Sequence, residues 1–165
     1  MLPVHITAPF QDCGLFGAKR KHDMHTGLDL YADQNSAVRS ITEGTVIDVF
    51  EFTGEFADSP WWNSTKAIVV ESGELTYVYG EVKALVEVGD KVCVGEVIGE
   101  VLAVLKVDKG VTPTSMLHLE IWETQYYKKN FVWLLGQKAP RGLLNPINHL
   151  LKQSIGCYWI VKTQY

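Results

Sequence analysis

Short runs of Val, Ile, Thr, Tyr and Leu, broken by Gly and Pro, recur along this chain. That texture predicts strands, and helical periodicity is scarce. Strands are expected at residues 37–41, 44–51, 67–72, 75–81, 91–94, 97–105 and 116–123. Alternation is cleanest in the last of these. Leu117, Leu119 and Ile121 fall on one face and read as core, while Met116, His118 and Glu120 share the other. One short helix is expected at 145–151, with Asn145 as its N-cap and Pro146 in its first turn. Between 84 and 99, glycines interrupt alternating apolar residues, which predicts tight turns at Gly89 and Gly95. This turn pattern occurs in several β-sandwich and barrel-sandwich folds. Residues 154–165 include Tyr158, Trp159, Ile160 and Val161. They are expected to add a strand to the body, because exposing so many large apolar groups is costly.

Composition narrows the class. A chain of 165 residues suits one domain. With 47% hydrophobic and 21% charged residues, it is globular and not disordered. A net charge of −4 makes nucleic acid an unexpected partner, since phosphate-backbone binding calls for a basic excess. No apolar run approaches the roughly 20 residues of a membrane span. The first residues, MLPVHITAPFQDCG, carry no basic segment followed by an apolar one, so no secretory signal is expected there. Cys13, Cys93 and Cys157 are odd in number and form no Cys-x-x-Cys pair. Neither a disulfide framework nor a cysteine zinc cluster is expected from them.

Candidate chemistry sits in two segments. In His25-Thr26-Gly27-Leu28-Asp29, even spacing lets the imidazole and carboxylate share one face of an extended chain. Gly27 permits the bend that makes them converge. In the second segment, His118 stands in mid-strand with Glu120 two residues on, a ligand with a carboxylate to support it. Two nitrogens and one oxygen suit zinc and leave its fourth position open, as catalytic sites require. Read singly, each segment is more often an ordinary hydrogen-bonded surface His–acid pair.

The order of motifs resembles the lysostaphin-type zinc peptidoglycan endopeptidases. Phe16-Gly17-Ala18-Lys19-Arg20 followed by His25-Thr26-Gly27-Leu28-Asp29-Leu30 is similar to that family's first motif. Tyr79-Gly80-Glu81 with residues 86–99 resembles its central segment. Leu117-His118-Leu119-Glu120-Ile121 resembles its last motif, and Leu144-Asn145-Pro146 its usual ending. The resemblance spans residues 14–151, so 1–151 is expected to be the peptidase domain and 152–165 a C-terminal extension. It implies a mostly antiparallel β fold with a narrow substrate groove, and zinc on His25, Asp29 and His118. It also implies hydrolysis of peptide bonds in bacterial peptidoglycan.

Two departures stand out. The family's last motif reads His-x-His, and the position of its first histidine is Met116 here, a thioether that cannot relay a proton. The family's other catalytic histidine falls on Glu81. In one reading Glu81 replaces it as general base, as glutamates do in thermolysin-like zinc sites. In the other, the domain is a silent zinc-containing module that only binds cell wall or protein.

His22, next to Asp23, is a candidate substrate contact or a solvated loop residue. Trp61 and Trp62, in a predicted loop, either line a binding wall or cap the core. Tyr77 and Tyr79 present the same choice, with Tyr79 the candidate for substrate contact. The 84–99 pattern also resembles carrier domains, but 105–110 does not present a lysine as carriers do, and His25 and Asp29 would go unexplained. A monomer is expected. Without a signal, synthesis in the cytoplasm is expected, with delivery by lysis, phage or a secretion device, unless the chain is part of a longer secreted protein.

Overall fold

The computed structural model describes residues 12–107 and 115–154. Its strands are β1 (Asp23–Met24), β2 (Leu28–Tyr31), β3 (Ala37–Arg39), β4 (Gly44–Thr53), β5 (Thr65–Ser72) and β6 (Leu75–Ala84). They continue with β7 (Lys91–Val92), β8 (Val97–Val101), β9 (Met116–Glu123), β10 (Trp133–Leu134) and β11 (Leu143–Leu144). One α-helix, α1 (Pro146–Ser154), and three single 3₁₀ turns complete the described residues. The fold is mainly antiparallel β, as expected.

A nine-stranded sheet carries the main order β11-β9-β6-β5-β4-β7. On one edge β9 pairs with β6, through Gly80↔His118. On its other edge it pairs with β2, through Asp29↔His118, and further on with β11. Asp29, His118 and Gly80 therefore stand in one row across three strands. β8 pairs with β3 and with the last residues of β6. β1 and β10 form a separate two-stranded ribbon.

The alternation read from the sequence becomes two cores on the two faces of this sheet. One contains Val46, Ile68, Val70, Tyr77, Tyr79, Val82, Leu119 and Ile121, with Leu150 of α1 packed against it. The other contains Phe50, Ala67, Val69, Val78 and Trp122, covered by Trp133, Leu143, Phe16 and Phe131. Each fully buried aliphatic or aromatic side chain contributes roughly 1.5–3 kcal/mol relative to exposure. Leu117, Leu119 and Ile121 face the first core, so Met116, His118 and Glu120 face the same way as Trp122.

A bulge breaks the alternation at the functional end of β6. Tyr79 pairs with Ile68 and Val82 with Lys66, so Gly80 and Glu81 stand together opposite Ala67. Tyr79 and Val82 both reach the first core, which turns the two residues between them to the other face.

β9 runs over the residues expected, and β4, β5 and β6 extend slightly beyond expectation. β8 ends four residues early. Nothing along the chain signals β1, β10 and β11, which at two residues each are too short for alternation. Asn145 accepts a hydrogen bond at 3.0 Å from the backbone N–H of Ile147, which is the N-cap expected. Residues 152–154, expected to begin a C-terminal strand, form the last turn of α1 instead. A helical continuation after an N-capped Pro146 satisfies those backbone groups locally. Residues 155–165 lie outside the described residues. Gly89 and Gly95 have φ of 98° and 83°, the left-handed backbone that their turns require.

Candidate metal centre

Three side chains converge beneath the sheet's functional face. His25 Nε2 lies 3.1 Å from Asp29 Oδ1, His118 Nδ1 lies 3.0 Å from the same oxygen, and the two nitrogens are 3.1 Å apart. All three residues are buried, at 2%, 4% and 5% exposure. Among the described residues no fourth His, Cys, Asp or Glu joins this cluster.

The arrangement follows from local structure. Asp29 and His118 are register partners on β2 and β9, so their side chains rise from neighbouring points of one sheet face. His25 reaches them across the bend at Thr26-Gly27. A Cβ on Gly27 would stand 2.5 Å from the Leu119 carbonyl oxygen and 2.8 Å from the His118 ring. Only glycine lets the chain pass this close to its own ligand.

Each ligand's outward polar atom is bonded as well. His25 Nδ1–H donates to the Leu15 carbonyl at 2.9 Å. Asp29 Oδ2 accepts from Arg20 Nη2 at 2.5 Å. His118 Nε2–H donates to Glu120 Oε1 at 3.1 Å, and Glu120 also accepts from Thr26 Oγ1 at 2.5 Å and Trp122 Nε1 at 2.8 Å. These bonds fix ring orientation and tautomer, the role of outer partners around metal-binding histidines.

Proton counting tests whether the cluster fits a cation. The Leu15 carbonyl needs a donor, so a neutral His25 turns a lone pair on Nε2 inward. Asp29 Oδ1 also offers only lone pairs. The 3.1 Å edge between them then carries no proton, whatever the state of His118. A cation between the three atoms removes this repulsion. Ligand atoms on a four-coordinate zinc at about 2.0–2.1 Å lie about 3.3 Å apart, close to the edges observed. The donor set fits zinc.

The electrostatics agree. Burial lowers His25, and the neighbouring Asp29 only partly opposes this. Burial would raise Asp29, but His118 and His25 beside it outweigh this and hold the carboxylate well below its ordinary range. Burial would lower His118, but Asp29 and Glu120 prevail and raise it to about 10. A metal-free cluster thus keeps a proton on His118, where a cation is favoured.

On the other side of His118 stands Glu81. Its backbone has φ 64°, a left-handed conformation costly for a residue with a side chain. Its Oε2 is buried without a hydrogen-bond partner. Burial pushes its carboxyl up to about 7, against the opposing pull of His118. Phe52 forms an apolar wall here. Its ring centroid lies 5.4 Å from that of His118, and a Cβ on Gly80 would meet the ring at 2.6 Å.

The remaining candidates fall elsewhere. Tyr79, expected to contact substrate, is fully buried in the core on the opposite face, where its hydroxyl accepts from the Ile41 N–H at 3.1 Å. The alternation of β6 assigns it there. Its partner in that choice, Tyr77, is also core, bonded to His149 Nε2 at 2.9 Å. His22 is exposed in the bend between Arg20 and Asp23. Trp61 and Trp62 are exposed and meet edge to face at 6.1 Å in the loop joining β4 and β5. An open cavity of about 620 Å³ is lined by Val49, Val82, Val86 and Leu102, none of which belongs to the cluster. Sequence reading missed Arg20, Thr26 and Phe52. Arg20 and Thr26 lie inside the quoted motif, whereas nothing along the chain marks Phe52, on β4 with four strands between it and β9 in sequence.

A buried His–Asp–His triangle at the edge of a mainly antiparallel β domain defines the class. Residues 23–130 match Peptidase family M23, and the chain belongs to that family. Its fold is similar to that of cbpa from L. salivarius REN, at 24% identity over 89% of each chain with a TM-score of 0.58. It is also similar to the antimicrobial peptidase lysostaphin from Staphylococcus simulans, at 19% identity over 91% of this chain and 53% of that one, TM-score 0.59. A mutant catalytic domain of the prophage-encoded M23 protein EnpA from Enterococcus faecalis aligns at 21% identity over 78% and 83%, TM-score 0.51. At these identities the likeness is one of fold. No curated protein matches the chain.

Proposed function

We propose that this protein hydrolyses peptide bonds in bacterial peptidoglycan with zinc held by His25, Asp29 and His118. Bound there, zinc would supply Lewis acidity, polarising a carbonyl and lowering the pKa of a water towards 7. The chain's own contribution is the handling of protons. Glu81 takes a proton from the attacking water and returns it to the leaving amine nitrogen. A carboxyl poised at about 7 is ionised often enough to accept and protonated often enough to donate. Burial keeps the Glu81 carboxyl in that range, and Phe52 walls the neighbouring His118 ring. The Arg20–Asp29 and His118–Glu120 pairs keep two ligands in place while substrate binds. Trp61 and Trp62 offer exposed apolar faces for the rest of the substrate.

The observation that carries this reading is Glu81, a half-buried residue on strained backbone with one buried, unpartnered carboxyl oxygen, next in sequence to the residue paired with His118. Such strain persists where function requires it. A second reading, a binding module without hydrolysis, is favoured by Met116. It is half-buried on the same face of β9 as His118, pairs with Tyr31, and has no proton to exchange. Mass spectrometry of soluble products distinguishes the two. Peptidoglycans of several cross-link types are incubated with zinc-loaded protein, with and without chelator. Chelator-sensitive peptide fragments are expected. Zinc retention with no release, and activity appearing only in Met116→His, would establish the binding module.

A further inference from the structure

We propose that Arg20 is the positioning residue of the metal centre, its guanidinium turning the Asp29 carboxylate so that Oδ1 alone faces the ligand cluster. The inference rests on the reading of the cluster as a metal site. Arg20 Nη2 donates to Asp29 Oδ2 at 2.5 Å and to the Cys13 carbonyl at 3.2 Å, and Nε reaches the same carbonyl at 3.3 Å. The root of the side chain is fixed too. The Arg20 N–H donates to Asp23 O at 2.8 Å, and Lys19 bridges to Met24. The guanidinium thus spans the 3₁₀ turn at Asp12–Gly14 and strand β2 as a planar brace.

An aspartate needs such a brace because its last torsion is broad and roughly two-fold. Unrestrained, the carboxylate swings and offers both oxygens. Asp29 also packs closely behind, where a Cβ on Gly14 would stand 3.2 Å from its own Cβ. With Oδ2 committed to Arg20, the cluster keeps three protein atoms, the ligand count that leaves a position open. Arginine suits the task because a planar fork binds carboxylate and carbonyl together, whereas a lysine offers one point charge. Arg20 is 39% exposed at its side chain, so its own charge remains hydrated while Asp29 is buried.

The test is metal binding and the spectrum of the cobalt-substituted full chain, neither of which needs turnover. Zinc affinity is measured by chelator competition for wild type, Arg20→Ala, Arg20→Lys and Lys19→Ala. Arg20→Ala is expected to weaken zinc by about 10–100-fold, the usual cost of losing an outer partner. Its cobalt bands are expected to lose intensity as Asp29 turns bidentate and the coordination number rises. Arg20→Lys should recover part of the affinity but not the wild-type spectrum, and Lys19→Ala should match wild type. If Arg20→Ala fails to fold, Arg20→Lys alone carries the spectral test. Wild-type affinity and spectrum in both Arg20 variants would overturn the proposal. If wild type itself binds neither zinc nor cobalt, the metal-site reading falls first.

Discussion

On the β2 side of His118, every outward polar atom of the ligands has a partner. His25 holds Leu15, Asp29 holds Arg20, and His118 holds Glu120. On the β6 side, Glu81 has a left-handed backbone and a buried oxygen with none. The two sides of one histidine thus differ as the two proposed tasks, holding a metal and carrying a proton, would demand. A ligand must not move, so its spare atoms are bonded and its charge is compensated. A proton carrier must keep a lone pair free and its pKa near the working pH, which the unbonded oxygen of Glu81 would satisfy. Stability favours the first arrangement and opposes the second.

Removing a residue from the ordered side should have the largest effect. His118→Ala is expected to abolish metal binding, read by chelator competition, and to leave Asp29 and Glu120 facing each other across a gap. Retained tight binding in that variant would erase the distinction between the sides.

The strained side should show itself in the pH dependence of stability. In metal-free protein Glu81 sits at about 7 against an ordinary 4.5, so the folded state holds its proton more tightly than the unfolded chain does. Its contribution is therefore greatest below about 4.5 and declines as pH rises to about 7, by up to roughly 3 kcal/mol. Denaturant unfolding of wild type and Glu81→Gln across this window isolates the term. Parallel curves would mean that Glu81 is not perturbed.

Two glycine exchanges sharpen the contrast further. Gly27→Ala pushes a methyl into the Leu119 carbonyl and the His118 ring, and should cost about 1–3 kcal/mol and weaken zinc. Glu81→Gly, by contrast, relieves a left-handed backbone and removes a buried, unpartnered oxygen, and should raise stability by about 1 kcal/mol. Opposite signs in thermal unfolding are the expected result. A destabilised Glu81→Gly would remove the argument from strain.

Much of this architecture was legible along the chain. The alternation of Met116–Glu123 assigned both faces of β9, and the spacing of His25, Gly27 and Asp29 marked a convergent bend. Local patterns suffice there because one strand and one bend carry them. What was not legible depends on register between distant strands. The bulge that sends Tyr79 to one face and Glu81 to the other is set by pairing with β5, and alternation within β6 alone does not reveal it. Phe52 owes its place over His118 to the stacking order of four strands. The fork from Arg20 to Asp29 forms only once β1 and its bend have brought the two together.

The measurement that tests the account most directly compares zinc-loaded wild type with Glu81→Gln on purified peptidoglycan, reading bound zinc and released peptides in the same samples. Equal zinc in both proteins is predicted, with peptide release from wild type and release lowered by about 10²–10⁴-fold in Glu81→Gln. Equal release from both would remove Glu81 from the chemistry, and zinc-bound wild type that releases nothing would contradict the enzymatic reading altogether.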